Sequence, residues 1–404
     1  MKKNRLLFLA TFMLLFSACS GKPDETVQPG ATGVKEEQIE EDLYSICWFG
    51  PENYSDLGVL QTRQEGEHKG VSYFFDPVSE REVPLCVKTN CSHQGYSWGN
   101  TNPTCDACLS EDTSCVAIIG DTLYYVSRDP DDGLFRRKIY RANPDGTNRR
   151  VLEVVENAEI FSSGCYVDGY LIFTYYTQDA QDGTKLEKNQ TGICLYNLES
   201  EEAEYITASE YYNAIISTAT VQDNCLYYLY HYLTEDLSKI SYEDMTDEYK
   251  ESIVRRELWS YDLNTKEQRL VVKDEEKAMG TASIRWGYAY LEGSGGAETR
   301  LIRLSTGESR ELPFEMVQHK GQAMGEEGVF LYGGGSIDLW EFETGEVKHI
   351  GDYDEDWDIT FNYIGRKWVY GWKIENGQGR IFYLPKEQFM KGDLEWKYLP
   401  QEDQ

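Results

Sequence analysis

Short apolar and aromatic runs bounded by Gly, Asp and Asn recur along the chain. They read Gly120-Asp-Thr-Leu-Tyr-Tyr125, Asp168-Gly-Tyr-Leu-Ile-Phe173, Asp223-Asn-Cys-Leu-Tyr-Tyr228, Trp286-Gly-Tyr-Ala-Tyr290, Glu327-Gly-Val-Phe-Leu331 and Gly365-Arg-Lys-Trp-Val-Tyr370. Runs of this length, rich in Tyr, Leu, Ile, Val and Phe, predict β-strands, and their flanking residues supply the φ > 0 conformations that hairpins need. We read each run as the first strand of a repeating unit. A second pattern follows at variable distance, apolar-x-[Ser/Thr]-x-Glu: Leu198-x-Ser200-x-Glu202, Leu263-x-Thr265-x-Glu267, Leu304-x-Thr306-x-Glu308 and Phe342-x-Thr344-x-Glu346. Looser copies are Pro77-x-Ser79-x-Arg81, Ala142-Asn-Pro144-Asp-Gly146 and Leu384-Pro-Lys386-Glu-Gln388. The motif is placed at the hairpin between third and fourth strands, where a Ser or Thr oxygen can bond the turn backbone.

An internal repeat of this kind decides the fold class. Seven copies predict an all-β chain, a β-propeller of about seven four-stranded blades. The turn positions 79, 144, 200, 265, 306, 344 and 386 are about 40 residues apart in the last three intervals, a bare blade, and more widely spaced before that. Insertions therefore concentrate in the first half. Tyr176 to Gln190 reads as a polar hairpin tip, and Thr234 to Arg256 carries apolar residues at helical spacing, with Ser241 and Asp244 as a cap. Tyr44 to Phe49 is a candidate strand for closing the ring against Arg380 to Tyr398.

The N-terminus changes the picture. Lys2, Lys3 and Arg5 precede a short apolar run, Leu6 to Phe16, and then Ser17-Ala18-Cys19. The run is too short to span a bilayer and has the flanks of an export signal. Residues 1–18 are thus expected to be a signal peptide and 19–41, rich in Gly, Pro, Thr, Glu and Lys, a flexible tether, with the propeller occupying 42–404. Phe16-Ser17-Ala18-Cys19 resembles the bacterial lipoprotein signal, which usually has Leu where Phe16 stands. That resemblance implies lipidation of Cys19 and an extracytoplasmic protein anchored to the cell membrane. The chain carries a formal net charge of −31, and near −34 beyond residue 18, where 36 basic residues face 70 acidic ones. Such a surface repels phosphate backbones and excludes nucleic acid as a partner.

Candidate chemistry lies in one connection. Between the strand ending near Leu85 and the next, Val116 to Ile119, about thirty residues show no periodicity, and a loop that long in a compact domain needs something to pin it. It holds Cys86, Cys91, His93, Cys105, Cys108 and Cys115. One reading is a structural zinc site of Cys86, Cys91, His93 and Cys105, with Cys108 as a substitute ligand, since thiolates and imidazole suit zinc and four protein ligands close its tetrahedron. The other is disulfides within Cys86–Cys115, which an exported location permits. Cys165, Cys194 and Cys225 fall inside strand patterns as small core residues.

Pro84-Leu85-Cys86-x4-Cys91-x-His93 with Thr104-Cys105-Asp106-Ala107 resembles a motif of uncharacterised bacterial surface lipoproteins with a TolB-like β-propeller domain, found in Gram-positive gut anaerobes. The resemblance implies architecture and location but no reaction. No Gly-x-Ser-x-Gly, His-Glu-x-x-His or phosphate-cradling loop is present, and the five histidines lack partners at ligand spacing outside the cysteine loop. Asp352, Asp354, Asp356 and Asp358 alternate, but without the glycine of a calcium loop they read as a solvated connection. The expected function is a binding or scaffold module for a protein, peptide or glycan. The alternative is an extracellular carbohydrate-active hydrolase or lyase with its site at the propeller channel.

Overall fold

The computed structural model describes residues 52–400 apart from interruptions, the longest at 64–69, 96–103, 109–113, 129–136, 178–187, 236–245, 274–278, 294–298 and 313–320. The signal, tether and candidate closing strand Tyr44 to Phe49 lie outside the described residues. Seven antiparallel sheets form a seven-bladed β-propeller of four-stranded blades, and the strands of each blade follow one another in sequence except in blade 3, where a short strand that joins blade 4's sheet intervenes. The chain divides into two compact units, 1–156 and 157–404.

The first unit carries two blades. Glu52–Ser55, Gly58–Thr62, Ser72–Asp76 and Arg81–Pro84 form blade 1; Ser114–Ile119, Thr122–Arg128, Arg137–Ala142 and Arg150–Val155 form blade 2. Their common core joins Leu60, Tyr73 and Leu85 to Leu123, Tyr125 and Ala142. The second unit carries five. Blade 3 is Ala158–Val167, Tyr170–Thr177, Thr191–Asn197 and Glu202–Thr207; blade 4 is Tyr211–Gln222, Cys225–Leu233, Val254–Asp262 and Gln268–Lys273. Blade 5 is Met279–Arg285, Tyr288–Gly293, Arg300–Arg303 and Ser309–Glu311; blade 6 is Gly321–Met324, Gly328–Gly333, Ser336–Glu341 and Val347–Asp352. Blade 7 is Asp358–Ile364, Trp368–Glu375, Gln378–Pro385 and Lys397–Tyr398.

One expectation is corrected at once: the aromatic runs are the second strands of their blades. A second strand has a neighbour on both sides, which is why Val329 and Phe330, or Val369 and Tyr370, are fully buried and spelled in the most apolar residues. The weaker first strands escaped notice because they alternate or carry polar residues, as in Asp358–Ile364.

The turn motif sits where expected, between third and fourth strands, and its residue types now have reasons. In 197–202 and 262–267 the leading side chain caps the turn: Asn197 Oδ1 accepts from the Glu199 and Ser200 N–H groups, and Asp262 Oδ1 from Asn264 and Thr265. In 303–308 and 341–346 the threonine does it, Thr306 Oγ1 accepting from Glu308 N–H and Thr344 Oγ1 from Glu346 N–H. The residue before the glutamate is left-handed in every copy, Glu201, Lys266, Gly307 and Gly345. The apolar leader ties this turn to the turn joining strands one and two. Leu198 N–H donates to Gly169 O, Leu263 to Asn224 O, Leu304 to Gly287 O and Phe342 to Glu327 O. The seventh copy departs from the rule. There Lys386–Phe389 forms a short helix, α1, whose Lys386 N–H still reaches Lys367 O, and the fourth strand is delayed to Lys397–Tyr398.

Of the two insertions, one differs from expectation and the other keeps its expected helical character where it is described. The segment read as a hairpin tip returns as a strand, Lys188–Asn189, which pairs with Tyr211 and Tyr212 of blade 4. Thr191 then links the two sheets, its hydroxyl donating to Tyr175 O and accepting from Ile216 N–H. In the other insertion Tyr249, Ser252 and Ile253 are helical, and Thr246 Oγ1 accepts from the Tyr249 N–H; Ser241 and Asp244 lie outside the described residues. Ile253 is buried and its carbonyl accepts from Thr234 N–H, which ties the two ends of the insertion together.

Neighbouring blades of the second unit are joined by a recurring polar clasp. Tyr261 OH and Lys266 Nζ both reach Glu204, and Tyr288 OH and Arg303 Nη2 both reach Glu343. Apolar packing carries more of the load. The blade 6–7 interface gathers Phe330, Tyr332, Ile337, Phe361, Phe382 and Phe389, with Phe361 edge-on to Tyr332 and Phe382. Gly371 sits in its middle, where a Cβ would lie 2.4 Å from Thr360 O and 2.3 Å from the Phe382 ring. Because one obstacle is backbone, Gly371→Ala is expected to cost about 2–3 kcal/mol, measured by denaturant unfolding, against about 1 kcal/mol for Gly377→Ser, where space is open and only the left-handed φ of 78° resists a side chain.

Candidate metal centre

The cysteine loop leaves blade 1 at Pro84 and folds back on it. Leu85 N–H donates to Ser72 O, Ser72 N–H donates to Ala107 O, and Val71 and Cys108 form an isolated antiparallel bridge. The loop thus enters and returns beside the same strand, which brings Cys86 and Cys105 together although 19 residues separate them. Between them the chain turns tightly: Cys91 N–H donates to Lys88 O, and Asn90 and His93 adopt left-handed φ of 61° and 52°. Asn and His tolerate that region better than most side chains.

Cys86, Cys91, His93 and Cys105 converge, with one donor atom from each lying within 4.8 Å of all the others. His93 Nδ1 and Cys105 Sγ are 3.6 Å apart. In a tetrahedral zinc centre with Zn–S near 2.3 Å and Zn–N near 2.0–2.1 Å, the S···N edge is about 3.6 Å. The spacing therefore matches two ligands of one ion. Cys86 and Cys105 are buried, Cys91 and His93 half-buried. Cys108, expected as a substitute ligand, is outside this group and lies in the blade 1–2 core with Val71 and Leu123. The side chain of Cys115 lies outside the described residues. Among the described residues, no disulfide joins Cys86, Cys91, Cys105, Cys108, Cys194 or Cys225.

Burial pushes the Cys105 thiol above its ordinary pKa, and the neighbouring Cys86 and Cys91 push the same way, against a backbone hydrogen bond from Ala107. A divalent cation at this point would oppose the rise at Cys105, since a coordinating thiol is deprotonated by its metal. The residues fit a closed Cys₃His site, in which protein fills all four positions and none remains for a substrate.

Sequence reading missed the pair that frames the centre. Lys88 Nζ reaches Asp106 Oδ1 at 2.5 Å and Thr104 O at 2.7 Å. Arg149 Nη2, from the last turn of blade 2, reaches Cys108 O at 3.4 Å. Spacing alone gives no sign of either contact, because both depend on the loop's return.

The other expected sites stay apart from this one. Among the described residues, no further group of three or more metal-ligating side chains converges. Asp354, Asp356 and Asp358 are exposed, as is Asp352 at the end of its strand. His231 is half-buried, and its pKa is lowered to about 4, by desolvation of the ring first and by Arg256 second. His349 is exposed between two carboxylates, 3.0 Å from Asp338 Oδ1 and 3.4 Å from Asp352 Oδ1. The Asp338 hydrogen bond raises its pKa most, desolvation opposes it, and the Asp352 charge adds to the rise. An NMR titration is expected to place His349 above 6.5, and Asp338→Asn to bring it down. Because the folded pKa is the higher, this contact supports the fold fully below the unfolded value and stops doing so as pH rises through the folded one.

No protein-family model and no curated protein matches this chain. Its likeness to solved structures is one of fold. The β-propeller domain of the Trilobed protease from Pyrococcus furiosus, described as having an open velcro topology, aligns at 11% identity with a TM-score of 0.51, covering 90% of this chain and 99% of that one. Uncomplexed acylaminoacyl peptidase from Pyrococcus horikoshii aligns at 9% identity with a TM-score of 0.52, covering 90% of this chain but only 54% of that one. TolB from Acinetobacter baumannii aligns at 11% identity with a TM-score of 0.38, over 97% of this chain and 90% of that one. The class these findings define is the seven-bladed β-propeller, here with a candidate Cys/His metal centre in its first interblade loop.

Proposed function

We propose that the protein is an extracytoplasmic propeller, tethered to the cell membrane by lipid on Cys19, that serves as a binding or scaffold module and uses a structural zinc ion on Cys86, Cys91, His93 and Cys105. The observation that carries this reading is the closed ligand set: a centre whose four positions are filled by protein stabilises and does not catalyse. The basic and apolar residues before Cys19 support an exported, anchored protein. Propellers host both binding and catalysis, and the peptidase likeness spans about half of that enzyme, so fold alone favours neither.

Two measurements on the full chain test the reading. Metabolic labelling with a clickable fatty acid should modify the wild type and spare Cys19→Ala; labelling that survives the substitution overturns the anchor. Incubation with glycan and peptide panels should give saturable binding without product. Turnover of an oligosaccharide would instead establish the hydrolase or lyase alternative.

A further inference from the structure

We infer that Lys88 and Asp106 form an outer clasp that positions Cys105 against the other three ligands. The inference rests on the metal reading above and extends it to residues that touch no ion. Cys86, Cys91 and His93 lie within eight residues of one another, whereas Cys105 must be brought in across the long segment 94–104. A free loop of that length resists closure and leaves its end wandering. Lys88 stands between Cys86 and Cys91 in sequence, and its ammonium bonds both residues flanking Cys105, the Thr104 carbonyl and the Asp106 carboxylate. One side chain from the short ligand segment thus grips the distant ligand on both sides.

Charge points the same way. Three thiolates, one neutral imidazole and a divalent ion leave a net charge of −1 in a partly buried site, and Asp106 adds another beside it. The Asp106 carboxylate is largely covered, and its Oδ2 is buried without a hydrogen-bond partner. Lys88 supplies the opposing charge on the other oxygen. An ordinary ion pair with a half-exposed lysine contributes little to stability. A pair that orients a metal ligand, however, typically changes metal affinity tenfold to a hundredfold, roughly, when broken.

The test measures zinc affinity of the full chain by competition with a chromophoric chelator, alongside the visible spectrum of the cobalt(II) form. Lys88→Met is expected to weaken zinc binding by about ten- to a hundredfold, and Lys88→Arg to restore most of it. Asp106→Asn should behave like Lys88→Met, and the double variant should be no weaker than either single, since both remove one clasp. Circular dichroism of the zinc-loaded forms separates this from misfolding, and the double variant also removes the carboxylate that Lys88→Met alone would strand. Unchanged affinity in Lys88→Met, or losses that multiply in the double variant, overturns the clasp while leaving the metal centre standing. A wild type that holds no zinc overturns both.

Discussion

Cys105→Ser is expected to strip zinc from the protein and to loosen blades 1 and 2 while blades 4 to 7 keep their stability. Serine offers a poor zinc ligand, and the three residues that remain leave an open coordination position. Structural zinc in isolated zinc-finger peptides is worth about 10–16 kcal/mol of apparent binding free energy. Only the part expressed through mass action stabilises a fold, about 4 kcal/mol at a free metal concentration a thousand times the dissociation constant. For a unit of this size that corresponds to a fall in melting temperature of about 15 °C or more. The loss should be local, because a repeat array is stabilised mainly between nearest neighbours. Hydrogen exchange should therefore rise in peptides covering Val71 to Phe75, Leu85 to Cys91 and Leu123 to Tyr125, which share the core with the ligands. Peptides of 329–341 and 369–384 should not change. Metal analysis of the wild type gives the complementary reading. One zinc per chain, with thiols that become alkylatable only after chelation, is expected. No zinc, together with thiols that react only after reduction, would instead mean disulfides within Cys86–Cys115.

The chain spells its blades unevenly, for physical reasons. Second strands and the turns between strands three and four were legible because both are locally constrained. A strand with neighbours on both sides must be apolar, and a turn with a left-handed residue and a capping oxygen admits few residue types. First and fourth strands were not, since an edge position tolerates polar residues, as Val347–Asp352 shows with four exposed positions. The ligand quartet was legible because Cys and His are rare enough here that six in one connection stand out. Lys88 was not, because lysine is common and its role exists only once residues 104–106 have returned beside blade 1. Lys386 illustrates the same limit. It occupies a turn-motif position, yet the structure makes it the first residue of α1 and buries it.

That lysine carries the second large effect, and the expectation is asymmetric. Lys386 Nζ, 6% exposed, reaches Glu327 Oε2 at 2.8 Å and Gly365 O at 2.9 Å, joining blade 7 to blade 6 beside the Phe330 ring. Glu327 is 39% exposed. Removing the glutamate strands a buried ammonium with one carbonyl partner, whereas removing the lysine strands a carboxylate that water already reaches. Breaking a fully buried pair costs about 3–5 kcal/mol. The exposure of Glu327 lowers the figure for this pair, so Glu327→Ala is expected to cost about 2–3 kcal/mol. Lys386→Met keeps the aliphatic stem against Phe330 and should cost about 1 kcal/mol, the order of one ordinary hydrogen bond. Guanidinium unfolding of the two variants at neutral pH gives the comparison. If Lys386→Met proves the more damaging, the contact acts through packing and the carbonyl bond, and the buried charge is not what holds these blades together.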